Sequence, residues 1–246
     1  MLANQSLSQK DLLIVIPAFN EEESIKSVLM SLLDNGYQVL VVDDGSVDRT
    51  RLVALETGVD VLTLPFNLGV GGALRAGYKF AVRHDYRAVV QIDADGQHDV
   101  LQIVELINHV NDSGAHLVLG SRFQRSEESM TVPFLRRQAM RLLSALASRA
   151  TGTTITDATS GFRLIQEPLL SEFARVFPVY YLGDTYEALI SAGRAGFTVR
   201  EIPTVIVDRA HGKSSASTMQ SIKFIFKSVV LAALGIHTRI SNHIKE

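Results

Sequence analysis

The sequence predicts an α/β fold: a mostly parallel central sheet with helices on both faces, folded as a single domain. Three observations lead there. Apolar, β-branched runs of strand length alternate with helix-length segments through the first half of the chain. The 246 residues suit one large α/β domain, and no stretch between residues 10 and 235 has the Pro, Ser and Gly content of a flexible linker. At 46% hydrophobic and 20% charged residues, the chain must bury a core and is too apolar to remain disordered.

The elements follow in order. Leu12 to Ile16 is the first apolar run, after which Asn20 reads as a helix cap with Glu21, Glu22 and Glu23 in the first turn, where the helix dipole favours acidic side chains. Val39 to Val42 is the next buried strand and ends in Asp43, Asp44 and Gly45; Ser46 to Thr50 then opens a helix. Val59 to Leu64 repeats the pattern, a turn at Gly69, Gly71 and Gly72 leads into a helix up to about Arg83, and Ala88 to Ile92 is the fourth strand. The second half is less regular. It reads as a strand near Leu117 to Leu119, a helix from about Pro133 to Ala150, a polar loop around Asp157, a helix containing Asp184 to Ala195, and a strand at Thr198 to Ile202.

Charge narrows the partners. Lys plus Arg number 24 and Asp plus Glu 26, a formal net charge of −2, which argues against a nucleic-acid protein that works by neutralising phosphates wholesale. The total is a cancellation, because residues 1–119 carry −8 and residues 120–246 carry +6. A basic second half leaves room for phosphates or an anionic membrane surface. The absence of Cys excludes disulfides, thiol catalysis and Cys-ligated metals, so any metal would be held by carboxylates or His. No basic start followed by an apolar stretch marks a signal peptide, which predicts a cytoplasmic protein. Val229 to Ile236 is under half the length of a spanning helix. With Ile222, Phe224, Ile225 and Phe226 interleaved with Lys223 and Lys227, residues 216–246 read as an amphipathic helix with a basic edge. It suits either a membrane surface or docking on the core or on a second copy in a homo-oligomer.

Three strands end in polar clusters, Pro17 to Glu21, Asp43 to Ser46 and Asp93 to His98, and the C-terminal ends of parallel strands face one crevice. The sharpest of these is Asp93-Ala94-Asp95 directly after Val89 to Ile92. Two carboxylates at this spacing, followed by Gly96, can share a hard divalent cation and leave coordination positions for phosphate oxygens. Gln97 offers that cation a neutral oxygen and ranks above His98. Asp43 and Asp44 stand where a carboxylate can accept from ribose hydroxyls or a base N–H. No dinucleotide glycine fingerprint precedes them, and Asn67 to Ala73 lacks the ending of a P-loop, so hydride transfer and NTP hydrolysis lose ground.

Pro17 to Glu22, Val42 to Ser46, Asp93 to His98, Gly120 to Arg122 and Asp157 to Arg163, in this order, resemble the successive motifs of glycosyltransferase family 2 over about residues 12–215. The nearest branch is the dolichyl- or polyprenyl-phosphate mannose and glucose synthases. The resemblance implies a GT-A nucleotide-diphospho-sugar transferase fold, with a nucleotide-sugar half at about 12–115 and an acceptor half at about 116–215. It implies that Pro17, Phe19 and Glu21 hold the nucleotide, with Phe19 where Tyr is more usual, and that Val42 and Asp44 flank base and ribose. Asp93 and Asp95, with Gln97, would hold Mg²⁺ or Mn²⁺ against the diphosphate, Ala94 between them would belong to the nucleotide-sugar site, and Arg122 and Arg209 would neutralise phosphate oxygens. The family usually carries a Lys six residues after Arg209; that place is Ser215 here, and Lys213 stands two residues earlier.

These parts suit metal-dependent, inverting transfer of a hexose from a nucleotide-diphospho-sugar to a polyprenyl phosphate at the cytoplasmic membrane face. An anionic phosphate acceptor needs no general base. A hydroxyl acceptor does, and Asp184 is then the base candidate, with Glu187 one turn away on the same helix side as a positioning residue. Asp157 is a further acidic candidate near the acceptor, or a turn aspartate. Arg136, Arg137 and Arg141 lie on a helix whose basic face suits solvent or lipid phosphate. A rival of another class is a non-catalytic nucleotide-sugar-binding subunit.

Overall fold

The computed structural model describes residues 6–122, 134–178, 184–205 and 240. Among them, β1 (Leu12–Ala18), β2 (Gln38–Asp43), β3 (Asp60–Thr63), β4 (Ala88–Gln91), β5 (Leu117–Ser121), β6 (Arg163–Gln166) and β7 (Val199–Pro203) form one sheet in the order β3-β2-β1-β4-β6-β5-β7. β6 runs antiparallel to both neighbours, β4 and β5, and the other pairings are parallel. The helices are α1 (Ile25–Asp34), α2 (Thr50–Glu56), α3 (Val70–Arg83), α4 (Ile103–Ser113), α5 (Phe134–Thr151), α6 (Leu169–Val176) and α7 (Asp184–Arg194).

Strand alternation splits the core in two. Leu12, Ile14 and Ile16 of β1 join Val39 and Val41 of β2 under α1 and α4; Leu13 and Val15 join Leu40 and Val42 against α3, α6 and α7. Covered on both faces, the inner strands can read as continuous apolar runs, and this made them visible in the sequence. α1 and α3 lie on opposite faces, as right-handed crossovers require when β1 leads outward to β2 while β3 returns past β1 to β4. Strand order therefore reverses between β1 and β4, where an open sheet collects its ligands.

Several local expectations are corrected. Asn20 does not cap α1: its φ is 57°, the left-handed region, and its Oδ1 accepts from the Val47 amide at 2.9 Å, while α1 begins only at Ile25. Residues 21–24 form a turn instead, because the Glu21 amide donates to the Thr50 hydroxyl and the Glu22 carboxylate accepts from the Arg49 amide. α2 likewise starts at Thr50 itself. The polar loop around Asp157 is present, but β6 and α6 beyond it, and α4 before it, were not anticipated. Residues 206–239 and 241–246, including Arg209, Lys213 and most of the expected C-terminal helix, lie outside the described residues.

One titration follows from the β5–β7 edge. His116 Nδ1 accepts from the Thr198 amide at 3.1 Å, and burial pushes the His116 pKa below its usual 6.5. The unfolded chain then takes the proton more readily, so the stability this ring contributes is complete above pH 6.5 and is lost as pH falls through the folded pKa. Urea unfolding from about pH 7 to about pH 5 should show a smaller loss of stability in His116→Gln than in the wild type. Equal losses would exclude the ring.

Candidate active site

The ends of β1, β2 and β4 build one side of a crevice. Pro17 and Ala18 close β1, paired in register with Val42 and Asp43 of β2. Past β1, the ring of Phe19 is 44% exposed, enough to offer a face to a ligand. The loops after β1 and β2 are tied together by the Asn20 and Val47 amides, which donate to Ser46 Oγ and Asn20 Oδ1. Glu21 accepts from Ser24 Oγ at 2.8 Å. Asp44 is buried. Its two carboxylate oxygens accept from the amides of Leu68 (2.7 Å) and Gly69 (2.9 Å), so it fixes the turn that enters α3, and burial raises its pKa against the lowering by those amides. Gly69 has a φ of 81°, a conformation that side chains resist, which explains a glycine where this turn meets Asp44.

The acidic centre stands after β4. Ile92 still donates to Val15 of β1; Asp93 and Asp95 follow, with Ala94 buried between them. Asp95 is nearly buried and its Oδ1 accepts from the Gln97 amide at 3.1 Å, while Asp99 caps the turn into α4 through the Leu101 amide. The Asp93 carboxylate sits 3.5 Å from His98 Nε2, and the His98 ring stacks on Phe162 with centroids 5.0 Å apart. Burial alone would raise the Asp93 pKa, but the His98 hydrogen bond and the positive charges of Arg122 and Arg163 hold it below the usual carboxylate range. His98, ranked below Gln97 from sequence, is thus packed against Asp93, with its buried Nδ1 unpaired among the described residues.

The opposite wall comes from the second half. Arg122, just past β5, makes a two-point contact with Asp157: Nε donates to Oδ2 at 2.6 Å and Nη2 to Oδ1 at 2.9 Å. Burial would lower the Arg122 pKa, but Asp157 and the nearby charges of Asp93 and Asp95 raise it, so the guanidinium stays charged beside the acidic centre. Asp157 is fully buried in this pair, which makes it the support of Arg122 instead of a carboxylate presented to an acceptor. Its loop is held in turn by Glu201 of β7, whose carboxylate accepts from the amides of Thr156 and Asp157 and from the Thr156 hydroxyl. Ser121 Oγ completes the joint with Thr156 Oγ1 at 2.6 Å. Glu201→Gln replaces one of those acceptor oxygens with a donor and should cost about 1–3 kcal/mol of stability, measured by denaturant unfolding; an unchanged midpoint would show that the clamp contributes nothing.

Sequence reasoning missed Glu201, and it took Gly161 and Arg163 only as members of the Asp157 to Arg163 motif without a role of their own. A lone Glu inside a strand carries no motif, whereas a Gly-Phe-Arg ending before the apolar Leu164 and Ile165 was a readable sign of a strand entered from a polar site. Asp184 is the first residue of α7, with Glu187 one turn on. Arg141 is exposed on α5; Arg136 and Arg137 are on the same helix, with side chains outside the described part.

The donor set suits a hard cation. Among the described residues no group of three or more His, Cys, Asp or Glu forms a complete metal cage. Two carboxylates, backed by Gly161 where a Cβ would run into the Asp93 carboxylate, leave most of the coordination shell to a diphosphate and water, as Mg²⁺ or Mn²⁺ prefers.

Comparison with known proteins bears on the fold and the family. The chain is 29% identical to polyprenol monophosphomannose synthase of Mycolicibacterium smegmatis over 238 residues, covering 93% of this chain and 88% of that protein. It is 31% identical to undecaprenyl-phosphate mannosyltransferase of Micrococcus luteus over 214 residues, 83% of this chain and 87% of the other. Its fold superposes on glucosyl-3-phosphoglycerate synthase of Mycobacterium tuberculosis, crystallised with Mn²⁺, UDP-glucose and phosphoglyceric acid, with a TM-score of 0.67 at 22% identity over 90% of this chain and 79% of that one. The fold is therefore GT-A-like, as the motif order implied. The model of the Glycosyl transferase family 2 domain matches residues 13–173, from the first strand through the acidic centre to α6, and the chain is a member of that family and a glycosyltransferase.

Proposed function

We propose that this glycosyltransferase moves a hexose from a nucleotide-diphospho-sugar to a polyprenyl phosphate at a membrane surface, with inversion at the anomeric carbon. The observation that carries this reading is the meeting of Asp93 and Asp95 with the charged Arg122 where strand order reverses. The names of relatives that align over most of their length support the lipid-phosphate acceptor. Pro17, Phe19, Glu21 and Asp44 line the nucleotide side, whereas Val42, expected beside the base, is fully buried against α3 and only supports that side from the core; Asp93 and Asp95, with Gln97, would hold Mg²⁺ or Mn²⁺. When bound there, the cation supplies electrostatic stabilisation to the departing diphosphate.

The chain's own residues do the rest. Asp157 fixes the orientation of Arg122, so that its charge is already in place when the anomeric C–O bond breaks and negative charge gathers on the diphosphate. A phosphate oxygen of the acceptor forms the new bond to the opposite face of the anomeric carbon, and the nucleoside diphosphate leaves. The acceptor is already anionic, so no proton has to move. Arg209 and Lys213 supply positive charge to phosphates, and Asp184 and Glu187 stand on the acceptor side. Among the described residues no helix is long and apolar enough to cross a membrane. The charge pattern of the C-terminal segment, with Lys223 and Lys227 among apolar residues, supports peripheral association.

Asp184→Asn tests the acceptor class. With a phosphate nucleophile the substitution should change kcat by less than about tenfold, whereas loss of a general base costs roughly 10²–10⁴-fold. A loss in the second range would establish a hydroxyl acceptor.

A further inference from the structure

Arg163 is a charged residue with 2% of its surface exposed, at the start of the antiparallel strand between β4 and β5. Its guanidinium spans two segments. Nε donates to the Ser160 carbonyl at 2.7 Å and Nη2 to the Ala158 carbonyl at 3.1 Å, both in the loop after Asp157; Nη1 donates to the Thr185 carbonyl at 2.7 Å, in the first turn of α7. A buried guanidinium with this fixed fork sets the relative position of whatever its donors reach, in a way a flexible ammonium cannot.

What it reaches flanks the site on two sides. The loop it holds contains Gly161, where a Cβ would lie 2.8 Å from Asp93 Oδ1 and 2.9 Å from Asp93 Cγ, so backbone is pressed directly on the metal-side carboxylate. The next residue, Phe162, is 1% exposed and stacks on His98, the ring beside Asp93 Oδ2. The other end of the fork holds the turn that carries Asp184. Resting on the proposed reading of Asp93 as a metal-side carboxylate, we propose that Arg163 is a positioning residue. It locks the loop against Asp93 and the first turn of α7 into one unit, so the cation site and the acceptor side keep a set separation.

The test uses Arg163→Lys, which keeps the charge without the fork, and Gly161→Ala, which leaves the fork and moves its load. Hydrogen exchange is read at the amides of residues 158–162 and 185–189, and Mn²⁺ affinity is read by electron paramagnetic resonance with UDP or GDP present. In Arg163→Lys, protection should fall in both segments together while the β1 and β2 amides keep theirs, and Mn²⁺ affinity should fall about tenfold or more, the usual effect of losing an outer support of a metal ligand. In Gly161→Ala, Mn²⁺ affinity should fall similarly with exchange at 185–189 unchanged. Protection that drops in only one segment of Arg163→Lys, or Mn²⁺ affinity within threefold of wild type in both variants, overturns the proposal. A wild-type protein that takes up no Mn²⁺ with either nucleotide overturns the metal reading itself, and the exchange pattern then still decides whether Arg163 joins the two segments.

Discussion

Asp95→Ala is expected to lower kcat by about 10³-fold with every nucleotide sugar tested, since it removes half of the carboxylate pair that holds the charge-stabilising cation. Asp95 is nearly buried after β4, and its Oδ1 also orders the Gln97 backbone, so the change removes a ligand and loosens its turn at once. Asp95→Asn separates the two effects. It retains an oxygen for the Gln97 amide, and should therefore keep wild-type thermal stability while losing nearly as much activity. Raising Mn²⁺ should restore part of the lost rate in Asp95→Asn, where Asp93 and an amide oxygen remain, and little of it in Asp95→Ala. Turnover within threefold of wild type in Asp95→Ala would remove the mechanism.

Arg122→Ala has the second largest expected effect, and on two quantities. Asp157 is fully buried and Arg122 is its two-point partner, so truncating the cation leaves a buried carboxylate without a countercharge, at a cost of about 3 kcal/mol, the lower end of the usual range because Arg122 itself remains one-third exposed and the Thr159 hydroxyl still donates to Asp157. The same change removes a charge held beside Asp93 and Asp95, and should lower kcat about 10²–10³-fold. The double variant Arg122→Ala/Asp157→Ala discriminates between them: it should recover much of the stability, because no charge is left buried, and none of the activity. Differential scanning calorimetry and transfer kinetics on the three proteins read this directly. Recovery of activity along with stability would show that Arg122 serves the fold alone.

The nucleotide half of the fold was legible because its strands are covered on both faces. Leu12 to Ile16 carries no polar interruption and Ala88 to Ile92 only Gln91, and the end of each run marks the point where chemistry starts. β6 escaped notice for the opposite reason. Arg163 to Gln166 is four residues long and begins and ends with polar side chains, whose burial is intelligible only from the carbonyls that Arg163 and Gln166 reach in the fold. Asn20 was misjudged because its side chain answers to Val47, twenty-seven residues away, and not to the helix that follows. Asp93, Asp95 and Arg122 could be picked out by residue type and order. The role of Asp157 could not: a polar loop residue and a buried support for an arginine look the same until the partner is placed. Glu201 is the extreme case, since its carboxylate holds Thr156 and Asp157, forty-five and forty-four positions away.

The central claim is transfer to a lipid phosphate. The most direct measurement incubates the purified protein with Mn²⁺, radiolabelled GDP-mannose or UDP-glucose and a short-chain polyprenyl phosphate in detergent, extracts the lipid phase, and determines the anomeric configuration of the product by NMR. Label should enter the lipid phase, depend on Mn²⁺ or Mg²⁺, and be carried as an acid-labile sugar phosphate with the anomeric configuration inverted from that of the donor. A product with retained configuration, or label that passes only to a hydroxyl acceptor while the polyprenyl phosphate is left untouched, would contradict it.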